Sequence, residues 1–152
     1  MNPFITSADR RLELWKHLRE SLTPDKDELT QLKMVVKWFA EVPTINYAID
    51  CDDARSWPSP WELISDGYIC VNSLAYLMER TLCLCPSRWA ADRFQLMLIN
   101  NREDQILRLC LIVDNQYVLN YANLAIVDWK SICNECQIQA KFKFENNRHV
   151  SF

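Results

Sequence analysis

Cysteines carry most of the reactive chemistry available to this chain, and Cys70 has the most suggestive setting of the seven. It opens an apolar, helix-patterned stretch, Cys70-Val71-Asn72-Ser73-Leu74-Ala75-Tyr76-Leu77-Met78. A thiol at a helix N-terminus meets unpaired amides and the positive end of the dipole, which favour the thiolate. Nucleophilic catalysis also needs a base within hydrogen-bond reach, usually histidine, and a group that orients it. Only His17 and His149 are present, near opposite ends of the chain. His17 shares a helical pattern with Trp15 and Leu18 and is expected to be structural or exposed. His149, in Asn146-Asn147-Arg148-His149, is expected in a frayed polar tail. A C-terminal strand returning beside the core helix is the route by which His149 could reach Cys70. Cys70 as a small buried apolar residue is the competing expectation.

Metal and phosphate chemistry are weaker. Cys83, Cys85, Cys133 and Cys136 could supply four thiolates to zinc, but a Cys-x-Cys pair at the end of a helix is an unusual arm and no nearby histidine strengthens it. Buried or partly buried thiols are expected there, and no metal. Asp50, Asp52 and Asp53 could meet a hard cation, yet they lack the glycine and distal glutamate of an EF-hand loop, so a solvated loop is expected. Gly67 is the sole glycine. Dinucleotide fingerprints and P-loops are therefore excluded, since their backbone amides approach phosphate through glycines. No cofactor is expected.

The 152 residues suffice for a sizeable core and read as one domain, 1–152. Apolar residues make up 49% and tryptophan occurs six times, which fits a packed globular protein. A net charge of -3 gives no global reason to expect nucleic acid binding. No apolar run reaches the roughly 18 to 20 residues of a membrane span. The first residues lack the charged and apolar regions of a signal peptide, and the cysteine count is odd, so a reducing compartment is expected.

The elements that would position these groups fall in two blocks. Residues 1–40 read as a helical hairpin: Leu12, Trp15, Leu18 and Leu22 recur at helical spacing, with Arg10, Arg11, Lys16, Arg19 and Glu20 on the remaining surface. Thr23-Pro24 is the expected start of a second helix running to Phe39 and burying Leu29, Leu32, Val36 and Phe39. Residues 57–145 read as an α+β core. Ser59-Pro60-Trp61-Glu62 is a capping box with proline at N1, and Gly67 suits the helix end. The next helix spans about Cys70 to Leu84, with Leu74, Leu77, Met78 and Leu82 buried. After Pro86 the period becomes alternating and predicts strands over 93–99, 105–113, 116–121 and 136–145, with a tight connection at Asp114-Asn115. Ile138, Ala140, Phe142 and Phe144 predict a one-sided last strand. The fold class is α+β, a core helix packed on an antiparallel sheet.

The run Asp66-Gly67-Tyr68-Ile69-Cys70-Val71-Asn72-Ser73-Leu74-Ala75, followed by Cys110-Leu111-Ile112-Val113 and Tyr117-Val118-Leu119-Asn120-Tyr121, resembles the core of the bacterial transglutaminase-like cysteine proteinases. The resemblance covers roughly residues 60 to 125 and implies a papain-like fold. It matches Cys70 to the nucleophile and Asn120 to the aspartate position, where asparagine can still orient an imidazole. The histidine position falls among Leu107, Arg108, Leu109 and Cys110, none of which is a neutral-pH base. A second resemblance, over the first two thirds of the chain, is to small proteins of tailed bacteriophages, which implies a component of a virion or its assembly machinery.

The expected function is therefore a noncatalytic structural or protein-interaction component on a degenerate transglutaminase-like core. The alternative is a cysteine hydrolase or acyltransferase using Cys70, with Asn120 orienting a base. A protein partner is expected on a surface including Trp57, Trp15 and Trp38, since desolvated tryptophans make strong interface anchors. Trp61 is expected to cover the core.

Overall fold

The computed structural model describes residues 2–43, 53–67, 69–122 and 124–152. Its helices are α1 (Ala8–Ser21), α2 (Glu28–Phe39), α3 (Pro60–Asp66), α4 (Val71–Cys83) and α5 (Trp129–Ile132). Its strands are β1 (Phe94–Asn101), β2 (Leu107–Val113), β3 (Tyr117–Leu119), β4 (Val127–Asp128), β5 (Cys136–Glu145) and β6 (Arg148–Ser151). All strand pairs are antiparallel, in the order β4-β3-β2-β1-β5-β6. This is the expected α+β architecture with the core helix on the sheet. Among the described residues no helix is long and apolar enough to cross a membrane.

Local signals set the helix ends. Cys70 is the N-cap of α4 and Leu84 its C-cap. The Ser59 hydroxyl accepts from the Glu62 amide with Pro60 at N1, and Gly67 ends α3 at φ 76°. That glycine is required twice over: its backbone is left-handed, and a Cβ there would lie 2.7 Å from Arg11 Cζ. Arg11 is buried rather than spread over the outer face of α1. It donates to Ile64 O (2.5 Å), Ser65 O (2.6 Å) and Thr6 O (2.8 Å), placing a cation on the carbonyl end of α3.

The second helix begins later than its Thr23-Pro24 signal. Asp27 is the N-cap, its carboxylate accepting from the Thr30 amide at 2.7 Å, and Thr23 instead starts a turn closed by the Lys26 amide. Leu29, expected in the core, is exposed on the first turn of α2. The two N-terminal helices pack chiefly on different partners, α1 against α3 and α2 against α4.

Helix α4 is central, and one apolar cluster around it runs from Phe4 to Phe142. It takes up Leu96, Leu109, Leu111, Val113 and Leu119 from one face of the sheet. The other face is not simply wet: Met97, Ile99, Cys110, Ile112 and Val118 form a second cluster under Ile132 and Cys136. The last long strand departs from one-sidedness for a specific reason. Its register against β1 shifts between Leu98 and Ile99, where Ala140 pairs with Leu98 but Ile138 pairs with Ile99. The extra residue, Gln139, moves Ile138 and Cys136 to the face opposite Ala140 and Phe142.

Two short strands lacked a sequence expectation. β4 closes one edge, and β6 follows a turn in which Asn146 (φ 55°) and Asn147 (φ 63°) are both left-handed. The Asp114-Asn115 connection uses the same device, with both φ values at 55°. The third strand stops at Leu119 because Asn120 turns left-handed at φ 67°.

Trp15, expected on a partner surface, has no solvent exposure; its Nε1 donates to Thr81 Oγ1 at 3.0 Å. Trp61, expected over the core, is 47% exposed and meets Trp15 edge-on at 5.6 Å. Trp15 projects inward and takes the place that the capping-box tryptophan was expected to fill. Trp38 is half-buried against the rings of Phe4 and Phe39.

Candidate functional site

Cys70 sits where α4 begins, in extended backbone at φ -75°, ψ 158°. It is 3% exposed. Its sulfur accepts from the Ser73 amide at 3.3 Å and lies 2.9 Å from the Ser73 hydroxyl, so the thiol acts as the helix cap that serine or aspartate usually supplies. The cap draws the sulfur toward the first turn of α4.

The two asparagines around it tie α4 to the sheet. Asn72 Oδ1 accepts from the Leu109 amide at 2.9 Å. Asn120 Nδ2 donates to Val71 O and to Leu109 O, both at 2.9 Å. Asn120 lies beyond the end of β3, and its side chain continues the pairing of β2 that the backbone has left. The resemblance put the base among Leu107, Arg108, Leu109 and Cys110. The structure distributes these four: Leu107 is exposed, Arg108 donates to Tyr121 O and Asp104, Cys110 points to the back face, and Leu109 is buried in the cluster that contains Cys70. Of these four, only Leu109 is buried with Cys70 in the main cluster.

Above this point lies a cavity of about 390 Å³, lined in part by Val71, Leu74, Leu107, Asn120, Tyr121 and Leu124. Its rim is apolar: Val71, Ile106, Leu107 and Leu124 are all exposed.

His149 is not in a frayed tail. It lies in β6, buried, with Nε2 hydrogen-bonded to Glu79 Oε1. The rings of Trp57, Tyr76 and Phe144 surround it at centroid distances of 5.2, 5.2 and 5.1 Å. Trp57 is thereby half-buried, and it also meets Phe142. Glu79 is nine residues along α4 from Cys70, about 13 Å by helical rise and half a turn around the axis. The strand does return to the core helix, then, but to its far end. His17 is exposed on α1. Neither histidine meets Cys70.

Glu79 and Arg80 were missed by sequence reasoning, because charged residues inside a helical pattern read as solvated. Both are buried, paired at 3.1 Å, with the Arg80 guanidinium 3.6 Å over the Phe144 ring. The one available signal was the adjacent charge pair in an otherwise apolar helix.

The four cysteines considered for zinc are separated by the sheet. Cys136 belongs to the back cluster, while Cys83 and Cys85 pack with the main one. Among the described residues no three metal-ligating side chains gather. Burial pushes the Cys83 and Cys110 thiols up to about 12, away from thiolate ligands at neutral pH. Of the acidic trio, Asp50 and Asp52 lie outside the described residues, and Asp53 caps the Ala54–Ser56 turn through the Arg55 amide.

Comparison with solved structures gives the fold. Legionella pneumophila LapG matches in its calcium-bound form with TM-score 0.72 at 18% identity, over 90% of this chain and 76% of LapG. A second LapG structure matches with TM-score 0.73 at 20% identity, over 91% and 77%. The EGTA-treated form gives 0.71 at 20% identity, over 91% and 75%. No family model and no curated protein matches the chain. The fold is transglutaminase-like, as the Cys70 segment implied, and these neighbours lend nothing to the bacteriophage resemblance.

Proposed function

We propose that this chain is a noncatalytic protein-interaction component built on a transglutaminase-like core. The observation that carries the reading is the latch at Asn120. Both hydrogens of its amide are committed to the carbonyls of Val71 and Leu109, and Leu109, one of the four positions where the resemblance puts the base, is buried in the cluster that contains Cys70. A leucine accepts no proton, so the expected nucleophilic mechanism lacks its base. We place the partner over the apolar rim formed by Val71, Ile106, Leu107 and Leu124, with Trp38 and Trp57 as further anchors where their indoles reach solvent. A reducing compartment suits the many thiols. A place in a virion or its assembly machinery is the finer form of this reading and rests on sequence resemblance alone.

A second reading, a cysteine hydrolase or acyltransferase acting through Cys70, is favoured by the likeness to LapG and by the position of Cys70 at the start of α4. It requires a base that neither histidine provides. Labelling with an electrophilic thiol-hydrolase probe near neutral pH separates the two. The expected result is no selective modification of Cys70, and a Cys70→Ala variant that folds with a loss on the order of 1 kcal/mol. Selective labelling of Cys70 in the native protein would overturn the noncatalytic reading.

A further inference from the structure

A second cavity, of about 680 Å³, lies at the far end of α4 from Cys70. Its size is that of a small-molecule site. Aromatic walls come from Trp57, Trp61, Trp89 and Phe144, and Tyr76 and His149 contribute deeper in. Three arginines line it, Arg55, Arg80 and Arg148, and among the described residues its lining includes no aspartate or glutamate, in a chain whose net charge is -3. This concentration of positive charge runs against the protein's overall balance.

The arginines differ in how they are held. Arg80 is buried and held from several sides: Nε and Nη2 face Glu79, Nη2 reaches the Cys83 sulfur at 3.4 Å, and the guanidinium lies over the Phe144 ring. Its Nη1 has no hydrogen-bond partner among the described residues. Arg55 and Arg148 are exposed at the rim and make no ion pair among the described residues. Behind the wall, Glu79 Oε1 serves both Arg80 and His149 while Oε2 is buried with no hydrogen bond. Three guanidiniums thus stand beside a set of aromatic faces, and Glu79 is the one carboxylate paired with any of them among the described residues.

We infer that this cavity binds a small anion that joins a planar ring to a phosphate monoester. The ring stacks on the indoles, and the phosphate pairs with Arg55, Arg80 and Arg148. A phosphate monoester carries close to two negative charges and three terminal oxygens, which gives each guanidinium an acceptor. A carboxylate has one charge and two oxygens and leaves part of the arginine set unanswered. The site is separate from the Cys70 region, and it stands or falls independently of the noncatalytic reading.

Isothermal titration of the full-length chain with phenyl phosphate tests the assignment, with inorganic phosphate, benzoate and phenol as comparison ligands. The expected result is one phenyl phosphate per chain, quenching of tryptophan fluorescence, and at least roughly tenfold weaker binding of each comparison ligand. The rim variant Arg55→Ala/Arg148→Ala, whose exposed positions leave the core intact, should lose affinity by a similar factor. Trp61→Ala, a separate change on the aromatic wall, should also weaken binding and reduce the quenching. Absence of phenyl phosphate binding at millimolar concentration overturns the proposal. So does benzoate binding as tightly as phenyl phosphate, or equal affinity in wild type and the rim variant.

Discussion

Replacing Asn120 with aspartate distinguishes a latch from an orienting residue. In a catalytic site of the family pattern, aspartate at this position is the expected residue and should be tolerated. Here the side chain at 120 must donate. Asn120 Nδ2 makes two hydrogen bonds of 2.9 Å, one to the exposed carbonyl of Val71 and one to the partly buried carbonyl of Leu109. An aspartate carboxylate has the same shape and tolerates the same left-handed backbone, so the substitution isolates the loss of the donor. Each bond contributes about 1 kcal/mol net, and an acceptor left unpaired in a partly buried site costs about 1 to 3 kcal/mol. Water can replace the lost donor at Val71, which leaves an expected penalty at pH 7 of about 2 to 4 kcal/mol. The pH dependence has a definite sign. Two carbonyl oxygens facing the new carboxyl disfavour its charged form, so its folded-state pKa rises above the unfolded value of about 3.9. The variant is therefore closest to wild type in acid, where a protonated carboxyl can donate, and its penalty grows as pH rises through that window. Urea unfolding of both proteins from pH about 4 to 7 measures this. Equal stability at neutral pH, or a penalty that does not shrink toward acid, would refute the latch and return Asn120 to an orienting role.

Two other perturbations test the packing. Gly67→Ala combines a left-handed backbone at φ 76° with a Cβ 2.7 Å from Arg11 Cζ. The strain of about 1 to 2 kcal/mol and the displacement of a guanidinium that serves three carbonyls should together lower stability by about 3 kcal/mol. A variant melting indistinguishably from wild type would contradict it. In alkali, Cys83, Cys110 and Tyr76 keep their protons to about 12 through burial, whereas the unfolded chain releases them from about 8.5 for thiols and 10 for tyrosine. The folded state then binds more protons, so stability falls as pH rises above about 8.5. Denaturant midpoints measured across that range should fall less steeply in a Cys83→Ser/Cys110→Ala variant, and identical slopes would show that these thiols do not drive the loss.

Much of the frame was legible in the sequence because its causes are local. Caps and turns depend on residues within about four positions, so Ser59-Pro60-Trp61-Glu62, Gly67 and Asp114-Asn115 announced the boundaries that the structure has. The apolar stripe of α4 and the change to an alternating period gave the helix-on-sheet class. Thr23-Pro24 shows the limit of the same logic: Asp27, three residues on, offered a competing cap and won. At the site, the order of Cys70, the β2 segment and Asn120 was readable, as was the missing histidine.

What the sequence by itself determined was therefore the longer elements, their class and the phosphate-loop chemistry that cannot be written with one glycine. Only the tertiary structure decided which side chains are buried against partners far along the chain. Arg11 lies under carbonyls 53 and 54 residues away, and Glu79 meets His149 70 residues on. In a local pattern each of these charges is indistinguishable from a solvated one. Likewise the swap of Trp15 and Trp61 between core and solvent, and the bulge that turns Cys136 to the back face, depend on how neighbouring elements fill space. Burial follows from close packing of surfaces that the chain brings together only once folded, and no short stretch of sequence records it.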